Sequence, residues 1–168
     1  MKQIIKFFVF ACIGMVMGAG TVGAQQSSNE LSFVDPWIRG SVPGQKNGAG
    51  YLVINNSASK PTALVAVQSA RANRVELHTI VREDGVAKMR EVKQIDVPAK
   101  GSVTLQPGGF HIMFIGLKQP FNEGEKINLN LKFADGQSHN VAFVVKSAKF
   151  MGNTAQGQGM VGHGKMGH

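Results

Sequence analysis

Cysteine is almost absent from this chain. Its 168 residues contain one, Cys12, which lies in an N-terminal segment that begins with lysines, continues through an apolar stretch and ends in small residues. This order is typical of a secretory signal peptide, which we assign to residues 1–24. The mature chain then has no thiol, which excludes disulfide bonds and cysteine nucleophiles. Cleavage before Cys12, as in a lipoprotein, is the less favoured alternative because it leaves an apolar region of only five residues.

Long hydrophobic runs and clustered charges are also missing. The apolar stretch at residues 7–19 is shorter than the roughly 20 residues that a spanning helix needs, so we predict no stable membrane insertion. The net charge of +8 is scattered, and it gives no reason to expect nucleic acid as a partner. No set of serine, histidine and carboxylate residues suggests a catalytic triad, and we predict that the protein is not an enzyme.

Helical periodicity is the third absence. No segment repeats its apolar residues at the helical period, whereas turn signals such as REDG, LQPGG and ADGQ separate short runs rich in Val, Ile, Leu and Phe. This pattern predicts one all-β domain, a sandwich or a barrel, over residues 28–150. Residues 151–168 are rich in glycine and poor in large apolar side chains other than methionine, and we expect a flexible tail there.

The run PGGFHIMFIGL contains a histidine and a methionine among apolar residues. On a strand, His111 and Met113 share one face while Ile112 and Phe114 share the other. Taken alone, the pair is more simply explained as a half-buried histidine bonded to a backbone carbonyl beside a methionine of the core.

A second pair, His78 and Met89, favours a metal site. His78 ends the alternating run RVELH, and Met89 follows the turn at residues 83–85, so a hairpin would bring the two side chains close. Two imidazoles and two thioethers offer no carboxylate to Ca²⁺ or Mg²⁺, and thioether sulfur selects Cu(I). A blue-copper electron carrier needs a cysteine thiolate, so the better hypothesis is a carrier that releases its ion.

The spacing of these four residues resembles the signature of the periplasmic copper chaperone family PCu(A)C. Ten residues separate His78 from Met89, twenty-one separate Met89 from His111, and one separates His111 from Met113. The runs DPWIRGSVPGQKNGAGYLVINN, VELH and PGGFHIMFIGL also resemble segments of the family, across residues 35–145. Thr79 stands where many members have an additional methionine, which puts only an auxiliary ligand in doubt.

This resemblance implies a cupredoxin-like Greek-key β-barrel or sandwich that binds Cu(I) through His78, Met89, His111 and Met113. It also implies a periplasmic protein that supplies copper to the CuA centre in subunit II of cytochrome c oxidase, directly or with a Sco-type thiol protein. The spacing of the residues does not by itself identify that recipient.

The tail is a candidate second copper site. Its histidines suit Cu(II) as well as Cu(I), and its glycines allow a short segment to wrap an ion; the four potential ligands are Met160, His163, Met166 and His168. Two alternatives to the chaperone hypothesis stay open: an exported Ig-like interaction module whose His and Met residues are structural, and a copper storage or resistance protein that depends mainly on the tail.

The remaining candidates are interpreted more simply. His139 is expected to be solvated or bonded to the backbone rather than to be a ligand. Trp37 and Tyr51 are expected in the core or at its rim. Met151 is assigned no role.

Overall fold

The computed structural model describes residues 30–152, and each regular element in that range is a β-strand. The strands are β1 (Leu31–Arg39), β2 (Asn47–Asn56), β3 (Thr62–Gln68), β4 (Ala72–Glu83), β5 (Val86–Glu91), β6 (Ile95–Val97), β7 (Gly101–Leu105), β8 (His111–Leu117), β9 (Lys126–Phe133) and β10 (Ser138–Lys146). Over these residues no helix has the length and apolar character to cross a membrane. The segment predicted as a signal peptide and the tail residues Met160, His163, Met166 and His168 lie outside the described range.

The strands are hydrogen-bonded in the order β5-β4-β8-β2-β1-β10-β9-β3-β6, and β7 pairs with β2. Neighbouring strands are antiparallel except for β1 and β10, which run parallel. The path of described strands does not close on itself, so the molecule is an open β-sandwich rather than a closed barrel. The predicted all-β class is confirmed, and of the two forms that the sequence allowed, the sandwich is the one observed.

One hydrophobic core is built from buried side chains of every described strand except β5. Strand β9 shows the pattern most clearly, because alternate residues from Ile127 to Phe133 are buried while those between them are exposed or half-buried. β9 pairs with β10 across a turn at Gly136, whose φ of 85° is the left-handed conformation that favours glycine. This hairpin and its alternating burial are as the sequence predicts.

The hairpin of β4 and β5 is also confirmed. Asp84 and Gly85 have φ values of 51° and 78°, and two successive residues with positive φ are characteristic of the type I′ turn that matches the twist of paired strands. Strand β5 has exposed residues throughout and extends from the edge of the sheet. The sequence of this turn therefore decides where Met89 lies.

A β-bulge in β1 sets the position of Trp37. The register between β1 and β2 shifts between Val34 and Trp37, and Asp35 within the bulge has a φ of 46°. Beyond the bulge, Trp37 lies opposite Tyr51, while Ile38 enters the core. Both aromatic rings are buried, but they lie outside the core cluster, on the other face of the sheet.

Candidate metal centre

The candidate ligands lie on the face of the sheet that points away from the core. In β8, Ile112 and Phe114 are fully buried in the core cluster. Because side chains alternate along a strand, His111 and Met113 project from the opposite face. Met113 is therefore not core filler, so the simpler interpretation of this pair is wrong for Met113, whereas the backbone hydrogen bond that it expects for His111 is present.

The pairing of β4 with β8 brings the two histidines together. His78 lies directly opposite His111, and their ring centroids are 5.7 Å apart with planes tilted by 57°. The next pair on the same face is Glu76 opposite Met113. Two imidazoles, a thioether and a carboxylate thus occupy adjacent positions on two neighbouring strands.

Met89 reaches this face from the third strand. It lies opposite Ile80, two residues along β4 from His78, so the side chains of Met89 and His78 are diagonal neighbours on one face. The side chain of Met89 is 50% exposed, whereas His111 is 4% exposed. The site therefore has a buried histidine at its inner side and an accessible thioether at its outer side.

Each histidine has one ring nitrogen engaged and the other without a partner. Nδ1 of His111 donates a hydrogen bond to the carbonyl oxygen of Gly109 at 3.0 Å, and Nε2 of His78 donates to Oε2 of Glu76 at 2.9 Å. The remaining nitrogens, Nε2 of His111 and Nδ1 of His78, are buried and have no hydrogen-bond partner among the described residues. Burying a polar atom without a hydrogen-bond partner costs free energy. In metal-binding histidines, one ring nitrogen usually binds the metal while the other donates its proton to a carboxylate or a carbonyl oxygen. The donor atoms thus fit a soft or borderline cation.

Burial keeps His111 in its neutral form. Its pKa lies below the ordinary histidine value, chiefly because desolvation disfavours the imidazolium, and the charges of His78 and Arg39 act in the same direction. The hydrogen bond to the Gly109 carbonyl opposes this shift but is the smaller effect. A neutral imidazole is the form that can donate a lone pair to a metal ion.

A cavity of about 400 Å³ opens beside these residues. Its wall includes three of the four predicted ligands, Met89, His111 and Met113, together with Tyr51 and Met151. His78 does not line the cavity, and it contacts the site through the ring of His111. The structure therefore brings all four predicted residues to one region of the sheet, with His78 behind the cavity wall.

Aromatic side chains flank the cavity on the side of β2 and β1. The ring of Tyr51 lies 6.4 Å from that of His111 and 4.4 Å from that of Trp37, and Phe150 meets Trp37 edge-on at 4.8 Å. Burial raises the pKa of the Tyr51 hydroxyl. The resulting row of rings limits the access of water to His111 from that side.

Glu76 and Met151 are the two residues of this region that the sequence interpretation missed. The signal for Glu76 was available, because Glu76 and His78 are two apart in RVELH and therefore share a face of the strand. Met151 has no such signal, since nothing in the sequence pairs the C-terminal segment with β8. Within residues 30–152, no group of three or more His, Cys, Asp or Glu residues is placed to hold a metal ion.

His139 lies away from the candidate centre. Its ring packs between Phe33 and Phe133, with centroids 5.3 and 5.7 Å away, and its Nε2 lies 3.3 Å from Oε1 of Gln137. The structure therefore gives it no place among the candidate ligands.

Solved structures of PCuAC domains have this fold. The solution structure of apo-DR1885 from Deinococcus radiodurans matches with a TM-score of 0.57 and 30% identity, covering 88% of this chain and 97% of that one. Its Cu(I) form, CuI-DR1885, matches with a TM-score of 0.56 and 33% identity over 74% of this chain and 83% of that one. The apo PmoF2 PCuAC domain gives a TM-score of 0.61 at 24% identity over 73% and 94% of the two chains, a likeness of fold alone.

Fold and site together define an all-β domain of the PCu(A)C type, which confirms the resemblance drawn from the sequence. The family model described as "Putative lipoprotein LpqE-like" matches residues 31–145, and the chain belongs to this LpqE-like family. One relative, "Putative lipoprotein Lxx21020" of Leifsonia xyli subsp. xyli, is 34% identical over 129 residues, which are 76% of this chain and 75% of that protein.

Proposed function

We propose that this protein is a copper chaperone that binds one Cu(I) through His78, Met89, His111 and Met113. The observation that carries the proposal is a pair of buried imidazole nitrogens, Nδ1 of His78 and Nε2 of His111, that have no hydrogen-bond partner within residues 30–152 and lie on the face that also carries both thioethers. Neutral soft donors suit Cu(I) better than any other common biological cation. The Cu(I) form of DR1885, which has the same fold, supports the choice of metal.

The geometry also suits release of the ion. All four donors are neutral, so no ligand of the ion carries a negative charge, and thiolates on an acceptor can compete for Cu(I). Met89 is half exposed on a strand that contributes nothing to the core, and an incoming ligand can replace it without disturbing core packing. Copper is cargo here, and the chain acts by ligand exchange rather than by catalysis.

For the acceptor we propose the CuA centre in subunit II of cytochrome c oxidase, reached directly or through a Sco-type thiol protein. The support is the PCu(A)C resemblance together with the need for a thiolate-bearing recipient. No nucleic acid is involved in this function.

We propose that the protein works in the periplasm. The basic, apolar and small-residue order of residues 1–24 supports export by a signal peptide. Membership of a family described as lipoproteins also supports export, and it revives the alternative of processing before Cys12.

A titration of the mature chain with Cu(I) tests the proposal. We expect one tightly bound equivalent, with X-ray absorption reporting nitrogen and sulfur neighbours together. Binding should survive when the tail residues Met160, His163, Met166 and His168 are replaced by Leu and Gln, because the sheet supplies the tight site. Loss of binding in that variant would instead favour the storage alternative, and absence of stoichiometric copper in the parent chain would favour the interaction module.

A further inference from the structure

Met151 lies at the same cavity as the proposed ligands, although it is far from them in the sequence. Its side chain is 51% exposed, close to the 50% of Met89. These are the two methionines among the exposed large hydrophobic residues of the described chain, and both line the cavity that Met113 also lines. Three thioethers therefore line one cavity, whereas exposed apolar side chains are normally scattered over a protein surface.

Contacts of the preceding residue and of its own sulfur hold Met151 in this place. The preceding residue, Phe150, packs edge-on against Trp37 at 4.8 Å, and the Lys146 ammonium lies 5.9 Å from the centre of the Phe150 ring. Nη2 of Arg39 donates a hydrogen bond to the Met151 sulfur at 3.6 Å. The same guanidinium lies 5.7 Å from the centre of the Tyr51 ring, which in turn contacts His111. The segment after β10 is thus anchored beside the proposed copper ligands.

We propose that Met151 supplies a third thioether to the copper ion in this cavity, an inference that rests on the proposed function. Thioether sulfur is a weak hydrogen-bond acceptor, so exchanging the Arg39 contact for a bond to Cu(I) costs little. The flexible methionine side chain can turn towards the cavity while Phe150 stays packed on Trp37. The positive charge of Arg39 opposes a cation on this side, and the guanidinium must therefore turn away from the sulfur as the ion binds.

A donor outside the sheet has a specific use in a carrier. Met89 and Met113 are fixed by strand register, whereas Met151 lies outside the strands, and its side chain can turn towards or away from the ion while Phe150 stays packed on Trp37. A third sulfur can hold the ion while another donor is being replaced by a ligand of the acceptor. Met151 thereby assists the exchange step and adds to affinity only modestly.

Methyl NMR of the full mature chain tests this inference. The chain is labelled with ¹³C at the methionine ε-methyl groups, and the signals are assigned with Met89→Leu, Met113→Leu and Met151→Leu variants. Met→Leu nearly conserves volume and apolar character, so packing at Phe150 is retained while the sulfur is lost. With one equivalent of Cu(I), we expect the signals of all three methionines to shift. Met151→Leu should lower Cu(I) affinity by about tenfold, the lower end of what loss of a supporting group costs a metal site.

The outcomes separate this inference from the proposed function. If Met89 and Met113 shift while Met151 does not, and if Met151→Leu binds Cu(I) with unchanged affinity, Met151 is an apolar cover and the inference is wrong. If none of the three signals shifts, the proposed function itself fails. An Arg39→Gln variant adds a check, because it removes a repulsive charge in any chain and also frees the Met151 sulfur, so the gain in Cu(I) affinity should be larger in chains that retain Met151 than in Met151→Leu chains.

Discussion

The two outer faces of this sandwich have the same strand geometry and very different chemistry. On β9 and β10 the outer face carries lysines and asparagines that are exposed or half-buried, and Nδ2 of Asn130 donates to Oδ1 of Asn140 at 3.0 Å. On β4 and β8 the outer face carries imidazoles and thioethers, and His111 is almost fully buried beneath its neighbours. On the face of β9 and β10 the polar groups are solvent-exposed, half-buried or bonded to each other, whereas on the other face two buried ring nitrogens have no hydrogen-bond partner among the described residues. The candidate site therefore differs from the solvated face in two respects. His111 is buried under neighbouring side chains, and two ring nitrogens that could bind a metal ion have no hydrogen-bond partner within the described range.

The largest effect should come from removing both strand-borne sulfurs. Met89→Leu with Met113→Leu preserves side-chain volume, and we expect the fold to be unchanged while Cu(I) affinity falls by roughly a hundredfold or more, the upper end of losses at metal sites. Competition against a Cu(I) chelator measures the change. As the matched control on the other outer face, Asn128→Leu with Asn130→Leu should leave affinity unchanged. Equal losses in the two double variants would remove the distinction between the faces.

A smaller effect is expected at Glu76, which acts through His78. Glu76→Gln keeps the shape of the side chain but removes the charge that fixes the Nε2 proton of His78, and Cu(I) affinity should fall by about tenfold. Glu91→Gln is the control, because Glu91 lies opposite His78 in β5 and is exposed. ¹⁵N spectra of the metal-free protein should show an unprotonated Nδ1 in His78 and an unprotonated Nε2 in His111. A mixed tautomer at His78 in the parent chain would contradict the positioning role.

The smallest effect is the dependence of stability on pH. The folded pKa of His111 is depressed, so between the unfolded value of about 6.5 and the lower folded value, the unfolded chain binds a proton that the folded chain does not. The free energy of unfolding of metal-free protein should therefore fall as the pH decreases through that window. Denaturant titrations at several pH values should show a shallower decrease in His111→Gln than in the parent chain. Asn128→Gln, an uncharged substitution on the outer face of β9, should keep the parent's slope, and a shallower slope in that variant would contradict the assignment to His111.

The sequence predicted the parts of this molecule that depend on neighbours along the chain. The Asp84-Gly85 turn, the alternation of β9 and the shared face of His111 and Met113 all follow from local geometry. The position of Met89 follows from that turn, because a tight turn at Asp84-Gly85 makes β4 and β5 a hairpin. The family resemblance added the PCu(A)C type, whereas both the local pattern and the resemblance left the choice between barrel and sandwich open.

Features that depend on distant pairings were not predicted. The parallel pairing of β1 with β10 and the bulge at Asp35 place Trp37 on the outer face, so that Phe150 can pack on it and Met151 can reach the cavity. Arg39 and Met151 are in contact across a separation of 112 residues, which no periodicity reveals. Trp37 and Tyr51 are buried as expected, yet the reason is their mutual stacking beside His111 rather than a place in the core cluster.

Strand β5 buries no side chain in the core and is held to the rest of the described domain by its pairing with β4. Detaching it breaks one edge ladder and leaves the packed interior intact. If Met89 binds copper as proposed, the stability of the fold and the residence time of the ion depend on different parts of the chain, and substitutions in the β4–β5 hairpin should change how long the ion stays without weakening the core.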